Sequence, residues 1–302
     1  MGEMLYLVTG GNGMVGTYFE GGIRTDIEGP EYLDVRDPRA VDRAIRRSWP
    51  DAVLHLAAET DVDRCEREQD GAYQTNAIGT LNVAQACAKA SVKMLYVSTA
   101  GVFDGTKTSP YTENDLPNPG NVYGRTKLAG ELFVRDLVKN HPIVRTGWMF
   151  GGFEKDKKFV SYIVNQLLEG RDEIRAVSDC VGSPTYSKDL AAGILRLLDE
   201  DRSGLIHLSN RGIATRYDMA KAIVRVLRPE VPVVAVSSEE FRHLLAPRVA
   251  SEVLNCRLEF MRPWDDALTE YVTEWKQRVD GVSGKRVDAR YQVADLSPAG
   301  GS

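Results

Sequence analysis

The sequence is poor in cysteine and histidine, with four of each among 302 residues. The cysteines lie far apart, and no pair has the spacing of zinc ligands or of a disulfide framework. We therefore expect free thiols in a reducing compartment and no metal site. The chain also lacks an apolar run that could span a bilayer, and its first residues read as a strand rather than as a leader. Both features predict a cytoplasmic protein without membrane contact.

An excess of positive charge is missing as well, because the formal net charge is −5. Surfaces that bind nucleic acid are usually basic, so the charge argues against a nucleic-acid partner. It does not argue against an anionic small molecule, since a single arginine or lysine can bind a phosphate. The remaining composition, 43% hydrophobic and 27% charged, is that of an ordinary globular protein.

Short apolar runs alternate with helical patterns in the first half of the chain. The predicted strands are Met4–Val8, Ala52–Leu56, Lys93–Val97 and Ile143–Arg145, and the predicted helices are Pro38–Ser48, Ala72–Ala90 and Tyr123–Asn140. This alternation predicts βαβ units, and strands that are apolar on both faces are typical of a parallel sheet. We therefore expect an α/β protein with a Rossmann-type, doubly wound parallel sheet.

The second half predicts a smaller C-terminal substrate-binding lobe. Its predicted helices are Lys158–Glu169, Lys188–Asp199, Arg216–Leu227 and Trp264–Val279, and its predicted strands are Ile174–Val177, Leu205–Leu208 and Val231–Val236. Residues 1–150 are assigned to the dinucleotide-binding domain, with the sheet completed by part of 185–230. Residues 151–280 are assigned mainly to the lobe. The polar, glycine-rich end, 281–302, is predicted to be flexible.

A glycine-rich turn follows the first predicted strand in the segment TGGNGMVG, residues 9–16. Glycines at 10, 13 and 16, or at 11, 13 and 16, allow a tight turn. They also let a pyrophosphate approach backbone N–H groups at a helix N-terminus. The position of the turn, directly after an apolar strand, predicts a dinucleotide site.

The connection after this turn is short, with only 17 residues between Gly16 and Asp34. We therefore expect a short first helix or a vestigial second strand. The second strand usually ends in the residue that reads the ribose 2′ position. Arg24 would suit a 2′-phosphate and Asp26 a 2′-hydroxyl, so the choice between NADP and NAD stays open.

Tyr123 and Lys127 are four positions apart and would share one face of a helix that begins after the turn at 117–121. Such a pair suits proton transfer, because a nearby ammonium favours phenolate and lowers the tyrosine pKa. Upstream, Ser98 and Thr99 end a predicted parallel strand, where side chains face the ligand crevice. Either hydroxyl would suit a hydrogen bond to a substrate carbonyl.

Several segments in order carry a resemblance: TGGNGMVG, HLAAETDVDRCE, STAGVFDGTKTSPYTENDLPNPGNVYGRTKLAGE, RTGWMFG, VGSPTYSKDLA and RPWDDAL. Together they resemble the extended short-chain dehydrogenase/reductases, and within these the dTDP-4-dehydrorhamnose reductase family, over about residues 4–275. The resemblance implies reduction of a nucleotide-activated 4-keto-6-deoxysugar by NADPH or NADH. It also allows a homodimer, since dimers are common in this superfamily.

The resemblance implies roles for individual residues. The catalytic residues would be Thr99, Tyr123 and Lys127, with Tyr123 as general acid. The pyrophosphate turn would be formed by Gly10, Gly13, Met14, Val15 and Gly16, and Tyr123 and Lys127 would also contact the cofactor. The adenine would meet Asp34 and Val35, and the ribose and nicotinamide would meet Ala57, Ala58 and Thr60. The substrate pocket would be lined by Val62, Ala100, Trp148 and Arg248.

The sequence departs from the family after Thr99, where reductases typically have Asp-Tyr and this chain has Ala100-Gly101. Related 4,6-dehydratases have two carboxylates there that act as acid and base. Because Ala100 and Gly101 cannot transfer protons, dehydration is not expected. An epimerase that retains NAD, or a non-catalytic regulatory subunit of the same fold, remain alternatives to the reductase.

Three further polar or aromatic residues have more than one interpretation. His55 lies inside an apolar strand and is predicted to be a core histidine with satisfied hydrogen bonds. Asn76 would either assist a water relay or bond to the backbone. Trp148 would line the substrate pocket or pack as a core aromatic between the two lobes.

Overall fold

The computed structural model describes residues 4–241 and 244–283. The strands in chain order are β1 (Tyr6–Thr9), β2 (Ile23–Thr25), β3 (Ala52–His55), β4 (Lys93–Thr99), β5 (Pro142–Thr146), β6 (Met149–Phe150), β7 (Ile174–Val177), β8 (Val181–Gly182), β9 (Thr185–Tyr186), β10 (Gly204–His207), β11 (Ala214–Thr215), β12 (Val233–Val236) and β13 (Ser251–Glu252). The α-helices are α1 (Pro38–Ser48), α2 (Val62–Arg67), α3 (Gln69–Ala72), α4 (Gly79–Ala90), α5 (Val122–Leu137), α6 (Phe159–Leu168), α7 (Ser187–Asp199), α8 (Arg216–Leu227) and α9 (Trp264–Ser283).

A six-stranded sheet in the order β10-β5-β4-β3-β1-β2 forms the centre of the molecule, and all its strand pairs are parallel. β1, β3 and β5 are buried at every position, as strands covered by helices on both faces must be. The predicted Rossmann-type sheet is thus confirmed. Because the strand order reverses between β1 and β3, a crevice opens at the carboxyl ends of these two strands.

The connection between β1 and β2 is short, as the sequence predicted. A single 3-10 turn, Gly16–Tyr18, replaces the usual first helix, and β2 has three residues. β2 is the edge strand of the sheet. Both alternatives in the sequence-based expectation therefore hold together: the first helix is short and the second strand is vestigial.

Local sequence signals fix the starts of the helices around the crevice. Asp37 caps α1 by accepting hydrogen bonds from the N–H groups of Arg39 and Ala40, with Pro38 at the first helical position. Asn121 caps α5 by accepting a hydrogen bond from the Gly124 N–H at 2.9 Å. The predicted helix Ala72–Ala90 instead begins as α3 and passes through a π-helical stretch, Tyr73–Ile78, before α4. Such π-helical turns are frequent at functional sites.

Two hydrophobic cores cover the faces of the sheet, and a third lies within the C-terminal lobe. The third core packs α6, α8 and α9 around an aromatic cluster that includes Phe150, Tyr186 and Tyr271. β10, from the predicted range 185–230, lies beside β5 and forms the other edge of the sheet. The predicted flexible end falls almost wholly outside the described residues, which stop at Ser283.

Three small sheets also form within the described residues, with the strand orders β11-β8-β13, β12-β7 and β6-β9. Within the described residues, no helix combines the length and apolar character that crossing a bilayer requires. All four cysteines are free thiols.

Candidate active site

The glycine turn packs against the backbone that follows β3. Gly10 has a φ of 68°, and a Cβ there would lie 2.8 Å from the Cα of Ala57. A Cβ on Gly16 would lie 2.6 Å from the Cα of Gly11. Glycine is therefore required at position 10 because of the positive φ, and at position 16 because a side chain would clash with the backbone of Gly11.

The open side of the turn fits an anionic group. The backbone N–H groups of Met14 and Val15 donate to no acceptor among the residues that the structure describes. They precede the 3-10 turn, where N–H groups remain unpaired within the helix. A Cβ on Gly13 would meet only the carbonyl oxygen of Gly10, at 3.2 Å. Across from them, a Cβ on Gly152 would lie 3.2 Å from the Cα of Met14, so the lobe closes over the turn.

Arg24 and Asp26, at the end of β2, differ in whether their charged groups already have partners. The Asp26 carboxylate accepts hydrogen bonds from the N–H groups of Asn12, at 3.0 Å, and Ile27, at 2.7 Å. Arg24 is exposed beside Gly11 and makes no ion pair within the described part of the chain. The carboxylate thus braces the glycine turn, while the guanidinium remains available to a ligand.

Asp34 and Val35 lie between β2 and α1. Asp34 forms a two-pronged ion pair with Arg36, with its shortest contact 2.7 Å, and this partner lowers the pKa of the carboxyl. Val35 is buried, and its carbonyl accepts a hydrogen bond from Asn82 at 2.9 Å. The adenine contact assigned to this pair stays a prediction.

The segment 57–60, after β3, forms the wall beside the crevice. Asn76, in the π-helical stretch, holds it by accepting from the Glu59 N–H at 2.7 Å and donating to the Glu59 carbonyl at 3.0 Å. Asn76 also donates to the Thr126 hydroxyl of α5 at 3.0 Å. Of its two interpretations, bonding to the backbone is the one observed. Thr60 is exposed, and its carbonyl accepts a hydrogen bond from Lys158 at 2.8 Å.

Thr99 and Tyr123 come together at the carboxyl end of β4. The Thr99 hydroxyl oxygen accepts a hydrogen bond from the Gly101 N–H at 3.0 Å, so its own proton remains free to be donated. The Thr99 side chain lies close to the Tyr123 phenol, and this neighbour by itself lowers the phenol pKa. Ser98, the other candidate hydroxyl, points to the opposite face and donates to Glu131 at 2.5 Å.

The prediction of a lowered Tyr123 pKa is wrong, because the pKa is raised. Burial raises the pKa of Tyr123 well above its usual range, and the carboxylates of Glu252 and Glu59 raise it further. The Lys127 ammonium instead lies 4.3 Å from the centre of the Tyr96 ring. Lys127 is 3% exposed, and burial lowers its pKa to about 7. Desolvation therefore outweighs the attraction between the two groups that spacing alone suggests.

An ion pair beneath the site anchors α5 to the sheet. Glu131 accepts two hydrogen bonds from Arg145 on β5, at 2.9 and 2.6 Å, and both side chains are almost fully buried. Glu131 also raises the pKa of Lys127, one turn away. His55, in β3, bonds to Thr9 at 2.7 Å and to Thr80 at 3.0 Å, as predicted for a core histidine.

The four predicted substrate residues come from both halves of the chain. Val62 begins α2 and is half-buried, whereas Ala100 is buried beside Gly147. Trp148 donates from its indole nitrogen to Glu252 at 2.7 Å. Arg248 is engaged by Asp63 at 2.7 Å, an ion pair that ties the lobe to α2. The substrate contacts assigned to these residues remain predictions.

Three charged residues at the crevice escaped the sequence-based prediction. Lys158 reaches Thr60, Arg216 lies 3.8 Å from the Trp148 ring, and Glu252 bonds to that same indole. No motif marks them, since each belongs to the second half of the chain and reaches the crevice only through folding. Arg216 lies within the capping box of α8, between Thr215 and Asp218, and this box is the local sequence signal near it.

Comparison with known proteins places most of the chain in one family. Residues 4–281 match the family described as RmlD substrate binding domain. The spore coat polysaccharide biosynthesis protein SpsK of Bacillus subtilis is 35% identical over 284 residues, which cover 91% of this chain and 99% of that protein. The dTDP-4-dehydrorhamnose reductase of Mycobacterium tuberculosis is 35% identical, over 87% of this chain and 90% of that enzyme.

A solved structure agrees with both relatives. The crystal structure of dTDP-4-dehydrorhamnose reductase from Bacillus anthracis, in complex with NADP, has a TM-score of 0.85 and 33% identity. The two structures superpose over 90% of this chain and 100% of the Bacillus anthracis chain. The similarity therefore extends through both the sheet and the lobe.

Proposed function

The chain belongs to the family of the RmlD substrate binding domain, and we propose on that basis that it is an NAD(P)-dependent reductase of a nucleotide-activated 4-keto-6-deoxysugar. When bound, the nicotinamide dinucleotide would supply the hydride. The observation that carries the proposal is the meeting of Thr99 and Tyr123 beside the glycine turn, in a chain that matches named reductases over nearly its whole length.

The residues around the crevice suit such a cofactor. The N–H groups of Met14 and Val15 would hold the pyrophosphate, and Gly10 and Gly16 give the backbone its close packing. Arg24 favours NADP over NAD, because its exposed guanidinium is free for a 2′-phosphate while Asp26 is committed to backbone N–H groups. The Bacillus anthracis relative, which was solved with NADP, supports the same choice.

Tyr123 would act as the general acid. Its raised pKa keeps the phenol protonated at neutral pH, so a proton is available for the oxygen of the reduced carbonyl. Thr99 would orient that oxygen with its free hydroxyl proton. Lys127, buried behind the pair, would carry its charge at or below about pH 7 and contribute to cofactor binding.

Turnover tests the proposal directly. The purified protein should consume NADPH with a dTDP-4-keto-6-deoxysugar and release the 4-hydroxy product, identified by mass spectrometry. Tyr123→Phe should lower kcat by about 10²- to 10⁴-fold, the usual contribution of a general acid, with the fold retained. Tyr73→Phe, on an exposed tyrosine outside the crevice, is the matched control.

Other outcomes would contradict the proposal. Sugar inversion without net NADPH consumption would identify an epimerase, and no turnover of any sugar nucleotide would favour a regulatory subunit.

The cofactor preference has a separate test. Arg24→Ala should raise the KM for NADPH about tenfold or more and leave the KM for NADH unchanged.

A further inference from the structure

A carboxylate from the C-terminal lobe reaches the pocket beside Thr99. A Cβ placed on Gly101 would lie 3.5 Å from Oε1 of Glu252 and 3.4 Å from the Thr99 hydroxyl oxygen. The two side chains therefore face one another across the position of Gly101. Glu252 lies in β13, which is paired with β8 of the lobe and is far from Thr99 in sequence. Its charge also raises the pKa of Tyr123, as expected for a close neighbour.

The absence of side-chain bulk at 100 and 101 makes room for this carboxylate. Any larger residue at Gly101 would extend toward Glu252, and Ala100 is packed against Gly147, whose Cβ would lie 3.1 Å from that of Ala100. A Cβ on Gly147 would also lie 4.0 Å from the Glu252 carbonyl oxygen. The small residues after Thr99 and the glutamate from β13 thus form one complementary arrangement.

Trp148 fixes the carboxylate in place. Its indole nitrogen donates to Oε2 of Glu252 at 2.7 Å. Trp148 itself has a φ of 44°, which bulky residues rarely adopt, and its ring is confined between Gly182 and the Arg216 guanidinium. Strained backbone of this kind persists where the surrounding contacts hold it, typically at functional sites. The glutamate is therefore positioned rather than free to rotate.

The other oxygen of the carboxylate remains open. Oε1 accepts no hydrogen bond from any residue that the structure describes, and it is the oxygen that faces Gly101 and Thr99. A half-buried carboxylate oxygen needs a donor. If the substrate carbonyl lies at Thr99 and Tyr123, as in the proposed function, the sugar covers this oxygen and is placed to supply a donor.

We propose that Glu252 binds the sugar by accepting a hydrogen bond from the hydroxyl next to the reacting carbonyl. This inference rests on the proposed function. In a 4-keto-6-deoxysugar that hydroxyl is the one on C3, because C5 carries the ring oxygen and the methyl group. Glu252 thus selects ketosugars that have a free C3 hydroxyl over 3-deoxy and 3-O-methyl analogues. Such selection follows because a carboxylate oxygen that the bound sugar covers without offering a donor is costly.

The test combines substitutions at Glu252 with removal of the C3 hydroxyl from the substrate. Wild-type protein, Glu252→Ala and Glu252→Gln are assayed with a dTDP-4-keto-6-deoxysugar and with its 3-deoxy analogue. We expect Glu252→Ala to lower kcat/KM for the 3-hydroxy substrate about ten- to a hundredfold, mainly through KM, and to leave the 3-deoxy substrate nearly unchanged. Glu252→Gln, which keeps an oxygen acceptor without charge, should fall between. Glu259→Gln, on an exposed glutamate of the same segment, is the matched control.

Equal losses on both substrates would overturn the proposal, because they indicate a purely structural role, and so would no loss on either. If wild-type protein reduces neither ketosugar, the proposed function has failed. Calorimetric binding of the 4-hydroxy products, 3-hydroxy and 3-deoxy, then tests Glu252 without turnover. There the wild type should prefer the 3-hydroxy compound about tenfold or more and Glu252→Ala should not. Equal binding of both compounds by the wild type would refute the contact.

Discussion

The buried ion pair between Glu131 and Arg145 gives a prediction that joins stability to the site. Glu131→Gln keeps the shape of the side chain but removes the charge that balances the Arg145 guanidinium. Their side chains are only 6% and 3% exposed, so water cannot replace the lost partner. Leaving one member of such a pair buried alone costs about 3–5 kcal/mol. The free energy of unfolding should fall by that amount.

Urea unfolding followed by circular dichroism measures this loss. In a chain of this size each kcal/mol lowers the Tm by about 1.6 °C, so Glu131→Gln should melt about 5–8 °C below the wild type. The control is Glu68→Gln, which breaks the Arg64–Glu68 pair, with both side chains more than half exposed. That change should cost about 1 kcal/mol or less. The double variant Glu131→Leu with Arg145→Met should recover much of the loss, because neither side chain of the pair is then left buried as an unpaired charge.

The same substitution should also act on Lys127. Glu131 raises the pKa of this lysine, so its removal should shift the Lys127 pKa further below its value of about 7. The pH dependence of cofactor binding should move to lower pH in Glu131→Gln. If Glu131→Gln unfolds with the same free energy as Glu68→Gln, the pair does not anchor α5 to β5 and the reasoning fails.

Gly124→Ala should lower the free energy of unfolding by about 1–3 kcal/mol and should also lower kcat. The added Cβ would lie 2.1 Å from the Gly101 carbonyl oxygen and would push α5 away from Thr99. Gly71→Ala, where a Cβ meets open space, is the control for Tm and kcat. Lys127→Met should be more stable than the wild type near pH 7, with the difference vanishing toward pH 10.5. The buried lysine has a pKa of about 7, whereas an ordinary lysine has a pKa of 10.5. Between these pH values the unfolded chain binds more protons than the folded chain, so the stability of the wild type rises with pH. Urea titrations at several pH values that show no such convergence of the two proteins would contradict this. Asn76→Ala should weaken NADPH binding in a fluorescence titration and lower the free energy of unfolding by about 1–3 kcal/mol, because the Glu59 N–H loses its acceptor; unchanged binding would separate Asn76 from the crevice wall.

The sequence predicted most of the sheet, because its information is local. Apolar runs locate β1, β3, β4 and β5 to within a few residues, and the glycine spacing locates the turn at 10–16. The short gap before Asp34 predicted the reduced first helix and the small β2. Each of these depends on neighbouring residues in the chain, which periodicity and spacing report directly. Tyr123 and Lys127 on one helix belong to the same class of inference.

What spacing did not supply was the electrostatic environment. The proximity of Lys127 to Tyr123 predicted a lowered phenol pKa, whereas burial and nearby carboxylates raise it. The π-helical stretch was likewise missed, because its hydrogen-bond pattern differs from that of an α-helix without a separate sequence period. Desolvation depends on everything that packs around a group, and no local pattern encodes it.

The sequence by itself therefore determined the sheet, the glycine turn and the pair on α5, since residues close in the chain make them. It also revealed that Ala100 and Gly101 lack the side chains expected beside Thr99. Only the tertiary structure decided what fills that space, because β13 must pair with β8 before Glu252 can face Thr99. Likewise, Trp148 and Arg216 meet only when the lobe has packed. Contacts between distant segments follow from the burial of the whole core, and they set the chemistry of this pocket.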